Sequence, residues 1–298
     1  MVASGCSNST GVRADVVAHV PLASRTYAAA ISSAGVVYVG QPDLARLVRA
    51  DLPQMSFTGT VAVGNTPTEV AFNSSGTKAY VTNQFSQNVG VIDVATNTQT
   101  TTVPVSGNPF AVIVAPGDSM VYVTTTADSL FAIRASTNTI AHRLSLPIIS
   151  NGFAIHDSLL YVSTRDVGTV TVIGLKSNAI LRTLTVGGLP QGIVVSPDGT
   201  QLYVANQTGD LQFWSIAGDS SVGVALLAGR GFGLAQRPSD GKLYVTTLEA
   251  GQVQIVDPTT HLILQSINVG GVPRRIAFDA SGSIGVVANE GSWVDFLR

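Results

Sequence analysis

The chain has 298 residues, of which 11% are charged, with a net charge of −2, four histidines and a single cysteine. A charged fraction well under the usual ~25% and nearly balanced in sign gives no electrostatic footprint for nucleic acid, so no such partner is expected. Mean hydropathy is +0.34, yet no apolar run approaches the ~20 residues of a membrane-spanning helix; the longest, VGVALLAG at 222–229, is ended by Arg230.

Residues 1–14 read as a flexible N-terminal tail. Cys6 follows the small residues Ala3, Ser4 and Gly5 and precedes the polar Ser7, Asn8, Ser9 and Thr10. This resembles the end of a bacterial lipoprotein signal, although the basic and hydrophobic stretches of a secretory signal are not in the sequence. The resemblance implies lipidation of Cys6 and a periplasmic or extracellular protein anchored to a membrane. The plain reading of Cys6 is an incidental thiol.

From residue 15 to 298 one unit repeats. Its tyrosine slot falls at Tyr38, Tyr80, Tyr122, Tyr161, Tyr203, Tyr244 and Val286, in steps of 42, 42, 39, 42, 41 and 42 residues. In the clearest copy, 63–104, the runs EVAF, AYVTN, VGVIDV and TQTTTV are rich in Val, Ile, Thr and Tyr and are separated by Asn, Ser, Gly and Thr clusters. That is strand and turn chemistry throughout, with nothing long enough for a helix. A four-stranded antiparallel sheet of this period must stack on its neighbours, which predicts an all-β, seven-bladed β-propeller. The last copy offers only IAF, GVVANE and WVDFLR, whereas DVVAHVPLA at 15–23 precedes the first copy without a partner. Pairing of this N-terminal strand with the C-terminal blade is expected to close the ring.

The repeated sequences AYVTN (79–83), VYVTT (121–125), LYVST (160–164), LYVAN (202–206) and LYVTT (243–247) resemble the YVTN family of seven-bladed β-propellers, of the bacterial, extracytoplasmic type. The resemblance covers about residues 15–298 and implies an architecture. Relatives of this general shape include surface-layer propellers, periplasmic proteins, sugar lactonases, streptogramin lyases and haem-bearing domains, so shape alone does not choose a function. The Tyr-Val pair reads as blade-to-blade packing, one side chain to each face of the sheet.

Function is sought where the blades differ. Aligned on the tyrosine slot, one position of the loops entering the innermost strands holds Tyr27, Thr68, Phe110, Gly152, Gln191, Phe232 and Arg274. The next holds Ala28, Glu69, Ala111, Phe153, Gly192, Gly233 and Arg275. With Asn83, Asn206 and Asn289 at the ends of the Tyr-Val strands, Tyr27, Glu69, Phe110, Phe153, Gln191, Phe232, Arg274 and Arg275 are the candidate ligand-binding residues of a channel mouth. Aromatic walls with a few charges suit a small polar or anionic ligand. The bland reading is that Glu69 and Arg275 only balance each other across the channel.

His19, His142, His156 and His261 all fall away from the entering loops, so the mouth offers one glutamate and no histidine and no catalytic residue is assigned. No CxxCH or GxxxxGK[ST] is present, and no cofactor or metal is expected. Two functions remain. The first is a non-catalytic binding propeller, membrane-tethered through its N-terminus and docking a protein partner, as an accessory subunit of a membrane complex. The second is a hydrolase or lyase using Glu69 with Arg274 and Arg275 on a small carboxylate or lactone. Phe85, Trp214 and Trp293 are the aromatic candidates for a docking patch.

Overall fold

The computed structural model describes residues 15–298; Cys6, and with it the expected lipid attachment, lies outside the described residues. Seven four-stranded antiparallel sheets are present. Six use strands consecutive in sequence, and the seventh joins both ends of the chain, in the order Val16–Pro21, Trp293–Leu297, Gly285–Asn289, Pro273–Phe278. The protein is a seven-bladed β-propeller, with blades numbered here from Ala29. Their innermost strands are Ala29–Ile31, Pro67–Phe72, Pro109–Val114, Ser150–His156, Pro190–Val195, Gly231–Gln236 and Pro273–Phe278.

The tyrosine slot is the seam between blades. Tyr80 packs with Val112, Val121 and Val123 of the following blade, while its neighbour Val81 packs with Tyr38 and Val36 of the preceding one. Opposite-facing side chains of a strand thus serve two interfaces, which is why the pair recurs. Two of the phenols satisfy their polar ends on the following blades. Tyr38 donates to Asn97 Oδ1 in blade two and Tyr122 to Asn178 Oδ1 in blade four, both at 2.9 Å. Asn97 and Asn178 have φ of 54° and 47°, the left-handed turn geometry that asparagine tolerates.

In blades two, four and six, the residue two after the tyrosine carries a hydroxyl that staples its blade to the next. Ser163 Oγ donates to the Gln191 carbonyl at 2.7 Å and Thr246 Oγ1 to the Arg274 carbonyl at 2.8 Å. Thr82 Oγ1 lies 2.9 Å from the Phe110 carbonyl. Thr246 Oγ1 also accepts from Gly233 N at 2.7 Å, so Thr246→Val strands two buried backbone groups. The expected loss is about 1–3 kcal/mol in urea denaturation, and an unchanged midpoint would show that the staple contributes nothing.

The closing strand pairs residue by residue with the last: Val16 with Leu297, Ala18 with Phe296, His19 with Asp295, Val20 with Val294 and Pro21 with Trp293. His19 Nδ1 stands 2.8 Å from Asp295 Oδ1, and Asp295 is 1% exposed. Burial raises the Asp295 pKa, and the hydrogen bond from His19 opposes that rise.

Candidate functional site

The innermost strands of blades two to seven all lose register just after their first residue. A bulge bends a strand and re-aims the side chains beside it. Here it re-aims two consecutive positions per blade. In blade one, which has no such shift, Tyr27 reaches the mouth from just before the strand while Ala28 is packed in the core. Thr68 of blade two turns into the seam, donating to the Phe110 carbonyl at 2.7 Å. The first set is Tyr27, Thr68, Phe110, Asn151, Gln191, Phe232 and Arg274, the second Ala28, Glu69, Ala111, Gly152, Gly192, Gly233 and Arg275.

Blade four departs from the sequence alignment. Ser150 pairs with Thr164 and Gly152 with Ser163, which corresponds to Pro67 with Asn83 and Glu69 with Thr82 in blade two. The mouth residue is therefore Asn151 rather than Gly152, and Phe153 sits one step further down the wall. Three residues are missing from this repeat, and only two of them come from the inner hairpin, which turns tightly at Asp157–Ser158.

The asparagines are also displaced from their expected role. Asn83, Asn206 and Asn289 are 0% exposed and hold the adjoining loops instead of lining the mouth. Asn83 Nδ2 donates to Asn88 at 2.8 Å and Asn206 Nδ2 to Asp210 at 3.1 Å. Asn289 Oδ1 accepts from Val272 N and Gly291 N, each at 2.9 Å.

Of the remaining candidates, Tyr27, Phe110, Gln191, Phe232 and Arg274 line a mouth cavity of about 260 Å³, together with Asn151, Arg165 and Gln207. Glu69, Phe153 and Arg275 line the channel below it, a narrower cavity of about 160 Å³. Tyr27 meets the Phe110 and Phe232 rings edge to face, at centroid separations of 6.1 and 5.8 Å. Arg274 lies over Tyr27 and Phe232 at 5.3 and 4.8 Å, and Arg275 over Phe110 and Phe232 at 5.9 and 5.3 Å. Three rings and two guanidiniums thus form one cap, the positive groups resting on the negative ring faces. Arg274 is held from outside by Glu290 at 3.0 Å. Burial raises the Tyr27 phenol pKa, with Arg275 and Arg274 opposing.

Beneath the cap Arg275 reaches across the channel. Its Nη2 is 2.6 Å from Glu69 Oε2, in a blade two places round the ring, and it donates to the Asn151 carbonyl of blade four at 3.3 Å. The side chains are 10% and 16% exposed. Loss of water outweighs the guanidinium, and the Glu69 pKa is pushed up to about 7. Arg275 Nε is buried and has no hydrogen-bond partner.

The histidines stand elsewhere: His19 and His142 on outer strands, His261 stacked 4.0 Å from Phe213 between blades five and six. His156 ends the blade-four inner strand, its ring against Gly199. Among the described residues no cluster of His, Cys, Asp or Glu is arranged to hold a metal ion. Trp214 is 8% exposed and packed in its seam, whereas Phe85 is 67% exposed on the mouth face of blade two.

One surface feature escaped the sequence reading. The outer strands of three successive blades carry exposed apolar side chains: Ile180 and Leu181 in blade four, Val222, Val224 and Leu226 in blade five, Ile263 and Leu264 in blade six with Leu262 just before them, at 37–79% exposure. Blade two presents TQTTTVP there instead. The signal was in the outer-strand compositions, AILRTL and SSVGVAL against TQTTTVP.

The sequence matches no family model and no curated protein. In shape the chain is similar to a chain of Kuenenia stuttgartiensis hydrazine synthase, with a TM-score of 0.85 at 17% identity over 99% of both chains. At that identity the likeness speaks for the propeller fold alone.

Proposed function

We propose that this protein is a non-catalytic interaction propeller of the YVTN type, acting outside the cytoplasm and docking a protein partner. The observation that carries this reading is the apolar rim of blades four to six. Contiguous exposed apolar surface marks interaction sites, and the outermost strand of a blade leaves backbone N–H and C=O groups open to a partner's strand. Between blades five and six the rim is grooved, a cavity of about 480 Å³ with Val222, Pro197, Pro258 and His261 in its walls. Lipidation of Cys6 supplies the tether in this reading, and the partner is a component of the same membrane. The hydrazine synthase likeness adds no functional support.

The test is affinity capture of the full chain from native membranes, comparing wild type with Leu226→Ser/Leu264→Ser and with Phe85→Ser. Wild type and Phe85→Ser should bring down one stoichiometric protein that the rim variant loses. Recovery of wild type as a free monomer would overturn the proposal.

The second reading, a hydrolase or lyase for a small carboxylate or lactone, is favoured by the Glu69 carboxyl, whose pKa near 7 suits proton transfer. Against it, Arg275 occupies one Glu69 oxygen, and the channel wall holds no histidine and no second carboxylate. Unchanged turnover of lactone and uronate substrates in Glu69→Gln would end this reading.

A further inference from the structure

A second tier of side chains surrounds the mouth. Thr125, Thr164 and Asn206 pair with the residues that open the inner strands of blades three, four and five. The residues that follow them, Thr126, Arg165 and Gln207, are thereby brought to the same mouth as Phe110, Asn151 and Gln191, and all six line its cavity of about 260 Å³. This tier is fixed by its backbone. The N–H groups of Thr126, Arg165 and Gln207 donate to the carbonyls of Asn108, Ile149 and Leu189 in the entering loops, each at 3.0 Å.

Two of these side chains are buried with hydrogen-bonding capacity to spare. Asn151 and Gln191 are 4% and 2% exposed, and a single bond joins their amides, Asn151 Nδ2 donating to Gln191 Oε1 at 3.0 Å. Either orientation of the two amides leaves one acceptor and one donor over. Here these are Asn151 Oδ1 and Gln191 Nε2, which have no partner among the described residues and, unlike the sealed Arg275 Nε, keep contact with the mouth cavity. Arg165 is 34% exposed and gives its Nε to Asp166 at 2.8 Å. Its two terminal nitrogens make no hydrogen bond among the described residues. In blade seven the corresponding positions satisfy each other, Arg274 with Glu290 at 3.0 Å. The cavity lining as a whole holds two guanidiniums and no carboxylate.

We propose that the mouth binds a small hydroxycarboxylate. Arg165 holds the carboxylate with its terminal nitrogens, Asn151 Oδ1 accepts from the hydroxyl, and Gln191 Nε2 donates to a ligand oxygen. A carboxylate without a hydroxyl would leave the Asn151 acceptor unused, and a neutral alcohol would leave the guanidinium fork unused. The remainder of the ligand lies against Ile149 and the aromatic cap, which share the lining. Engineered cavities of ~150 Å³ take benzene, so the mouth suits a guest of about ten heavy atoms. The site rests neither on the docking rim nor on Glu69, and it requires binding without turnover.

The probe is sodium mandelate, each enantiomer titrated calorimetrically into the full chain, with phenylacetate lacking the hydroxyl and mandelamide lacking the charge. Expected are one site per chain with a dissociation constant near ~1 mM for the better enantiomer, binding of phenylacetate about fivefold weaker and of mandelamide about tenfold weaker. Arg165→Met should weaken mandelate at least ~10-fold. Asn151→Ala should weaken mandelate about fivefold and leave phenylacetate unchanged, a difference that a merely structural role would not produce. Leu226→Ser/Leu264→Ser should bind mandelate as wild type does, so that failure of this site and failure of the docking rim are told apart. Absence of mandelate binding to wild type, equal affinity in Arg165→Met, or phenylacetate binding as tightly as mandelate would each overturn the proposal. Should Asn151→Ala fail to fold, the exposed Arg165→Met and the three-ligand comparison on wild type decide.

Discussion

Removal of residues 1–22 should leave a chain that does not fold as a soluble monomer. The deleted segment contains the whole Val16–Pro21 strand and Leu22, whose N–H donates to the Ser292 carbonyl at 2.8 Å. Three losses combine. The Trp293–Leu297 strand becomes an open edge with an unpaired ladder, a template for aggregation. Ala18, Val20 and Leu22 leave the cluster that contains Val37, Val39, Val286 and Phe296, a loss of about 1–3 kcal/mol for each larger side chain. Asp295, 1% exposed, loses the His19 hydrogen bond and keeps that from Trp293 Nε1 at 2.9 Å, a further loss of about 1–3 kcal/mol. Together these rival the whole ~5–15 kcal/mol that holds a domain folded. Gel filtration and circular dichroism are the readouts. A truncated monomer melting within about 3 °C of wild type, under ~1 kcal/mol for a domain of this size, would show that the ring does not depend on its closure.

The architecture was legible because it rests on a few repeated physical devices. Tyr80 and Val81 belong to a strand buried on both faces, so their chemistry is constrained at every copy and the period survives in the sequence. Closure was legible by subtraction, from one strand too many at the start and one too few at the end. The site was legible in part. Arg274, Arg275, Glu69, Phe110 and Phe232 stood out because they break the repeat, and they do converge on the mouth and channel. The bulges that aim them carry no residue signature beyond the prolines at 67, 109, 190 and 273, each opening an inner strand, where proline removes no needed ladder bond. A shift of one residue in blade four therefore exchanged Asn151 for Gly152. Asn83, Asn206 and Asn289 were misread for a different reason. A strand end facing the mouth looks the same in sequence whether its amide projects into the channel or is folded under by the next loop, and the loop backbone decides. The rim was overlooked because single exposed apolar residues are ordinary; only their alignment on three neighbouring blades makes a surface.

Replacing Glu69 by glutamine should stabilise the protein at alkaline pH and leave it unchanged in acid. Burial raises the Glu69 pKa from 4.5 to about 7, so the folded chain binds this proton more tightly than the unfolded chain does. The stability tied to that proton is fully present below pH ~4.5 and is lost as pH rises to about 7, at ~1.4 kcal/mol per unit. Near pH 8 wild type has therefore given up about 3 kcal/mol that the uncharged glutamine retains. Arg275→Met moves the curve the other way. Without the guanidinium the Glu69 pKa rises further, so the variant becomes progressively less stable than wild type above neutral pH, while in acid only packing and one hydrogen bond separate them, about 1 kcal/mol. Urea denaturation of the three proteins across the range should give curves that converge in acid and fan out in alkali, Glu69→Gln highest and Arg275→Met lowest. Parallel curves would mean that Glu69 titrates as an ordinary solvated carboxylate and that Arg275 dominates the pair after all. Asp257 provides the internal contrast. Lys242 and the backbone N–H groups of Thr260 and Thr259 hold its pKa near 2, so its contribution is present above pH ~3.8 and lost as pH falls through about 2. All three proteins share that acid limb, which leaves the alkaline fan to the channel pair.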